Sequence, residues 1–192
     1  MSKRESREQQ ILSIALNEFI TKGYYGTSTR EIGKIAGLSS GAMFHYFKSK
    51  DALYHRLVEI GTEKMVLSLE EAENDPREYL RKLAEDTLKQ LKNNEFFAKM
   101  FVFIDNALHT SGIPQNSRAL LNNYDIGTQC VPILEMGQRK NQIRKGEALA
   151  LGVAFFGAIQ GVAQEIVRTP DTPLPKAEWL LDMICEAGVL SA

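Results

Sequence analysis

Cysteine is nearly absent. Cys130 and Cys185 are the only two in 192 residues, and they lie far apart in the chain. That count excludes a disulfide-stapled secreted scaffold, and the spacing matches no zinc-ligand pattern. Both read as small core hydrophobes of a protein from a reducing cytoplasm. Glycine-rich phosphate loops, nucleophile motifs and useful lengths of polar–apolar alternation are missing as well. Histidine occurs three times. Asp105 and His109 stand four apart and can pair along a helix, but no nucleophile or metal spacing accompanies them. The expectation is a chain that is no enzyme and holds neither metal nor cofactor. The opening MSKRESREQQ is polar and has no leader-type apolar stretch. The apolar run ALALGVAFFGAIQGVA, over 148–163, is shorter than the roughly 20 residues that span a bilayer. No membrane is expected, and a cytoplasmic location is.

What is present reads as helix almost throughout. Ile11, Leu12, Ala15, Leu16, Phe19 and Ile20 form one helical stripe. Lys22 and Gly23 close it with a terminal cation and a stop. Ser28 and Glu31 have capping-box spacing, so a second helix starts there. Ile32, Ile35 and Ala36 are its expected inner face, and Gly37 ends it. Ser39 caps a third helix through Phe47. Ser49 caps a fourth, expected to run unbroken to about Asn74. Pro76 suits the first turn of a fifth, and EFFAKMFVFIDNALH makes a sixth. One long seventh helix is expected from Pro114 to about Asn141, kinked at Pro132. An eighth spans Gly146 to about Thr169. After the proline-rich loop TPDTPLP, a last helix runs from Ala177 to about Leu190. The fold class is therefore all-α, of about nine helices. A three-helix head with a helix-turn-helix is joined by a long fourth helix to a helical body.

Charge is unevenly spread. Up to Arg56 there are nine Lys/Arg against five Asp/Glu, and the remainder has 14 against 19. A basic module on an acidic body suits a polyanion-binding head. The second and third helices, with the short turn Gly37-Leu38-Ser39, make a unit that lays its second helix in a DNA major groove. Ser39, Ser40, Gly41 and Ala42 lead that helix. They are small, so its axis can sit deep between the phosphate walls. Met43 and Phe47 are four apart and should face inward. His45 and Tyr46 carry polar tips suited to phosphate oxygens. Lys48 and Lys50 flank the start of the fourth helix, where free backbone N–H groups already favour an anion. Thr29 offers a hydroxyl to another phosphate. Phe44 reads equally as core or as contact surface. Arg4 and Arg7 read equally as a flexible basic arm or as a solvated helix start.

Across residues 11–57, Ala15, Phe19, Gly23, Tyr24, Thr27, Thr29, Ile32, Ala36, Gly37, Ser39, Gly41, Tyr46, Phe47, Lys50 and Leu53 follow an order and spacing that resembles the TetR family of bacterial transcriptional regulators. The resemblance implies a DNA-binding domain over residues 1–50 and a ligand-binding and dimerisation domain over 51–192. It also implies a homodimer on a short palindromic operator in double-stranded DNA, usually a repressor, released by a small-molecule effector. By position, Thr29, Ser39, Ser40, Gly41, His45, Tyr46 and Lys50 correspond to residues that commonly touch DNA in the family. Phe44 stands where tyrosine is common, which removes a hydroxyl contact. The other readings are a ligand-independent architectural or division-control protein with the same head, and an activator.

The body offers less. The sixth helix has too many apolar residues for one narrow stripe, so some are expected to line a cavity for an apolar ligand. The candidates are Phe97, Met100, Phe101, Ile104, His109, Phe156 and Gln160. The eighth helix is apolar nearly all round, and Gly152, Gly157, Gly161, Ala154 and Ala158 let neighbours come close. In a chain this small, a second copy is expected to supply part of its cover. That makes the last two helices the dimer interface.

Overall fold

The computed structural model describes residues 2–63, 67–124 and 126–185. Among them are eleven helices and no strand. They are α1 (Lys3–Gly26), α2 (Thr29–Ile35), α3 (Ser40–Tyr46), α4 (Lys50–Glu63), α5 (Leu69–Ala72), α6 (Pro76–Asn93), α7 (Glu95–His109), α8 (Gln115–Asn122), α9 (Ile126–Arg139), α10 (Ala148–Arg168) and α11 (Ala177–Leu181). The all-α class holds, with two more helices than the nine expected. Both extras arise by division. The fourth helix does not run unbroken to Asn74: Ser68 lies in extended backbone and its hydroxyl accepts from the Glu71 N–H, which starts α5 afresh. The expected long connecting helix is therefore corrected to the shorter α4. The helix expected over 114–141 is also two, because Asn123 caps α8 and Tyr124 N–H donates to the Leu121 carbonyl. Pro132 stays inside α9. The last helix is shorter than expected, with Asp182 as its cap; residues 186–190 of that expectation lie outside the described residues.

Two compact units emerge, one of residues 2–63 and 99–124, the other of 67–98 and 126–185. The α4–α5 and α8–α9 breaks fall where the chain passes from one unit to the other.

In the first unit, α1 begins at a full capping box. The Ser2 hydroxyl accepts from Glu5 N–H, and the Glu5 carboxylate accepts from Ser2 N–H. Its stripe of Ile11, Leu12, Ala15, Leu16 and Phe19 is buried. Gly23, at φ 70, interrupts the helix as expected of a stop residue. Thr27 then donates its hydroxyl to the Gly23 and Glu18 carbonyls, which fixes the chain's entry to α2. Ile32, Ala36, Met43, Phe47, Leu53 and Leu57 complete the head's core. Ile35 does not join them. It is 56% exposed, and Ala36 takes the inner position. Phe19, Tyr54 and Phe103 form an aromatic cluster, with Tyr54 edge-on to both phenyl rings at 5.0 Å. Burial pushes the Tyr54 phenol up to about 12.

In the second unit, Leu80, Ala84, Leu88 and Leu91 of α6 point inward at helical spacing. Among the described residues, α10 is long and apolar enough to cross a membrane. It packs on α9, α6 and α11, burying Phe155, Phe156, Ile159 and Ala163. Arg144 Nη2 donates to the Asp182 and Cys185 carbonyls and ties the end of the described chain to the α9–α10 connection. Cys130 and Cys185 are both buried and are not joined in a disulfide.

Candidate nucleic-acid interface

The turn between α2 and α3 is set by hydrogen bonds that the sequence allows at few other places. Gly37 N–H donates to the Lys34 carbonyl and Leu38 N–H to the Gly33 carbonyl, at 3.1 and 2.8 Å. This pair closes a helix end by a Schellman motif, whose residue after the cap must be left-handed. Gly37 has φ 68. Two residues later the Ser39 hydroxyl accepts from Ala42 N–H at 3.2 Å and opens α3. Ser49 does the same for α4 through Ala52 N–H. Two serine caps and one glycine thus fix how the chain enters and leaves α3.

Burial sorts the aromatic run as helical spacing requires. Met43 and Phe47 are buried at 3% and 8%. Ser40, Gly41, Phe44 and His45 are exposed, Tyr46 is half-buried, and Lys48 is exposed just beyond the helix. A methyl group placed on Gly41 would meet nothing within 4 Å. The front of α3 is therefore open and its back is core. Phe44 belongs to the surface, at 54% exposure, with the Lys48 ammonium 4.4 Å over its ring.

The cations around this face differ in freedom. Lys50 Nζ donates to the Tyr24 carbonyl at 2.9 Å and lies 4.3 Å over the Tyr24 ring. Tyr24 in turn donates its hydroxyl to Asp51 at 2.5 Å, and burial, then Asp51, holds its phenol well above the ordinary range. Arg7 reaches Gln10 at 2.7 Å and the Ala36 carbonyl at 3.5 Å, strapping α1 to the end of α2. Lys3 and Arg4 line an open cleft of about 600 Å³ with Ala42, His45 and Tyr46. A second, of about 640 Å³, runs from Tyr46 along Ser2, Lys3, Ser6, Arg7 and Gln10. The start of α1 is thus an ordered basic border beside α3. The Ser2–Glu5 box is the signal in the sequence that extends α1 over these residues. Thr29 is half-buried at the first position of α2, and Ser39 is exposed.

The seven ligand candidates divide between the units. Met100, Phe101, Ile104 and His109 lie in the first; Phe97, Phe156 and Gln160 lie in the second. Met100 and Ile104 are buried against α4, where a Cβ on Gly61 would fall 2.5 Å from Ile104 and 3.1 Å from Met100. His109 is exposed, and its Nδ1 bonds the Asp105 backbone carbonyl at 2.8 Å. Among the described residues no His, Cys, Asp or Glu group could hold a metal ion. Gln160 Nε2 is buried without a partner.

A capped helix-turn-helix with an open, small-fronted second helix and a basic border defines a DNA-binding regulator. Residues 11–57 match the family model described as bacterial regulatory proteins, tetR family. The transcriptional repressor KstR2 of Mycolicibacterium smegmatis is 25% identical over 149 residues, covering 74% of this chain and 70% of that protein. The repressor Rv1474c of Mycobacterium tuberculosis is 40% identical over 60 residues, 31% of this chain and 32% of its own length. In structure, AibR bound to isovaleryl coenzyme A and operator DNA matches over 92% of this chain and 94% of its own, at TM-score 0.68 and 20% identity. Over residues 11–57 the chain is thus similar to the TetR family of bacterial transcriptional regulators, and the relatives just named are transcriptional regulators rather than enzymes.

Proposed function

We propose that this chain is a repressor that binds a palindromic operator as a homodimer and lets go when a small, apolar ligand enters residues 51–192. The observation that carries it is the exposed face of α3, free of bulk at Gly41 and bordered by cations. Residues 1–50 form the DNA-contacting part, through Thr29, Ser39, Ser40, Gly41, His45, Tyr46 and Lys50. A regulator of bacterial genes works in the cytoplasm, beside its DNA.

The dimer reading rests on the second unit. Leu149, Val153, Gly157 and Gly161 follow one another every fourth residue along α10, all exposed. Trp179 and Met183 are exposed as well, at 60% and 40%. Such an apolar surface with small residues at its centre fits a second copy packed helix to helix. Gly157→Arg places a charge in that contact. The expected result is a monomer by sedimentation and loss of operator binding, with the helix content unchanged. A dimer that survives would remove α10 from the interface.

The ligand reading rests on Gln160, a buried amide donor without a partner in apolar surroundings, where a leftover donor costs about 1–3 kcal/mol. A ligand with an apolar body and one carbonyl or carboxylate oxygen would satisfy it. AibR was crystallised with an acyl-coenzyme A and its operator, and KstR2 is a repressor. Release then follows from population shift: half-sites lie about 34–36 Å apart, and a ligand that favours another separation of the two heads weakens both contacts at once.

The test is a gel shift with DNA upstream of the protein's own gene. Binding should weaken steeply with salt. Replacing Lys3 and Arg4 together by Ala should lower the slope of log K against log salt by about two per protomer, one for each phosphate that is no longer neutralised. A wild-type protein that retards no duplex, at any salt, would contradict the reading.

A further inference from the structure

We infer that Phe44 reads thymine, by packing its ring on the C5-methyl groups of the operator, and that Lys48 holds the ring in place for it. The inference rests on the operator-binding reading above. It begins from burial. Phe44 is a large apolar side chain left 54% exposed, although its neighbours Met43 and Phe47 found the core. Three and four positions earlier on the same face stand Gly41 and Ser40. Neither is tall enough to shield the ring, and Gly41 has open space before it. The phenyl group therefore stands above the small residues on its own face of α3, where a groove floor can meet it.

What it can meet there is limited by chemistry. A phenyl ring neither donates nor accepts a conventional hydrogen bond. The major-groove edges of guanine, cytosine and adenine offer donors and acceptors, and only thymine adds an apolar group, its C5-methyl. Setting the ring against a polar edge would desolvate that edge without a partner, which is unfavourable. Setting it against a methyl buries two apolar surfaces together. The ring thus favours thymine over the other three bases without a hydrogen bond to any of them.

Lys48 completes the arrangement. Its ammonium stands 4.4 Å over the ring centroid, a cation–π contact that restricts the ring before DNA arrives. Less rotamer freedom is then lost on binding. The charge also lies at the end of α3, where a phosphate beside the contacted base can receive it. Tyrosine at this position would bring a hydroxyl that wants a polar partner; phenylalanine leaves only the apolar contact.

The experiment starts by selecting 30-base-pair duplexes from a random library with the full-length wild-type protein. In a selected duplex each thymine is then replaced singly by deoxyuridine, which removes the methyl and nothing else. Affinities are read by fluorescence anisotropy for wild type, Phe44→Ala and Phe44→Leu. The expected result is one or two thymines per half-site where deoxyuridine costs the wild type about fourfold, the worth of one buried methyl. At those positions Phe44→Ala should show no further loss, and Phe44→Leu a partial one. Thermal melts of the variants should match wild type, because the ring is not core. A flat deoxyuridine scan in wild type, or equal losses in wild type and Phe44→Ala, would overturn the inference while leaving operator binding intact. Failure to enrich any duplex would overturn the operator-binding reading and this one with it.

Discussion

Gly41→Glu is expected to abolish specific DNA binding while leaving the head at least as stable as before. The two halves of that result come from opposite sides of one helix. On the protein side there is room, because a Cβ at Gly41 meets nothing within 4 Å. Glycine inside a helix costs up to about 1 kcal/mol relative to good helix formers. Glutamate removes that cost, and an acid in the first turn of α3 is favoured by the helix dipole. The thermal midpoint should hold or rise slightly. On the DNA side the same change puts bulk and negative charge on the surface that meets the groove. Like charges brought together at an interface cost several kcal/mol; about 4 kcal/mol corresponds to a roughly thousandfold loss. Gly41→Ala is the companion variant, with the same helix gain, no charge and a methyl group's worth of bulk, and it should lose far less. Anisotropy titration with a selected duplex and a thermal melt on each variant suffice. If Gly41→Glu bound within fivefold of wild type, α3 would not be the element that enters the groove.

The parts of this molecule that are legible in the sequence are those in which one residue type answers one backbone need. Ser28, Ser39 and Ser49 are all found capping the helices that follow them. Gly23 and Gly37 both sit at positive φ where a helix stops. The small residues at the front of α3 are readable for the same reason. Interruptions that keep the apolar rhythm are not readable. Leu57, Ile60 and Leu67 continue one period into a place where Leu67 and Ser68 leave the helix. Ser68 caps as well as Ser49 does, but a serine within an apparently continuous helix passes for a surface residue. Ile35 escapes its expected place for a geometric reason. On a helix of only seven residues the inner stripe is narrow, and Ile32 and Ala36 fill it one turn apart. Phe44 is undecided in the sequence because hydrophobicity predicts burial, and a recognition face is where that rule is suspended. The freedom of Lys3 and Arg4, against the engagement of Lys50 with Tyr24, depends on packing between elements distant in sequence, which no local pattern encodes. The surroundings of the ligand candidates on α7 are hidden for the same reason: Met100 and Ile104 lie against Gly61 of α4, a neighbour that no local pattern names.

Phe103→Ala should be the most destabilising single truncation in the first unit, and its contrast with Phe44→Ala tests the division between core and contact surface. Phe103 is 2% exposed. Its ring lies 5.0 Å from Tyr54 and 6.2 Å from Phe19, and Phe19 and Tyr54 themselves meet edge to face at 5.0 Å. Removing it deletes a phenyl group's burial and opens a cavity whose walls belong to three helices, α1, α4 and α7. Truncations of this kind cost about 3–5 kcal/mol, out of a total of roughly 5–15 kcal/mol for a typical domain. The urea midpoint should fall accordingly, and Phe103→Leu, which keeps most of the volume, should recover more than half of the loss. Phe44→Ala removes the same atoms from the surface of α3, and such exposed changes usually stay within about 0.5 kcal/mol. Phe103→Ala should bind a selected duplex normally at low temperature, where it is folded, whereas Phe44→Ala should be fully folded and bind more weakly. Equal urea midpoints for the two variants would mean that Phe103 is not the keystone of its cluster, and that the order of α3 rests on the caps and Gly37 alone.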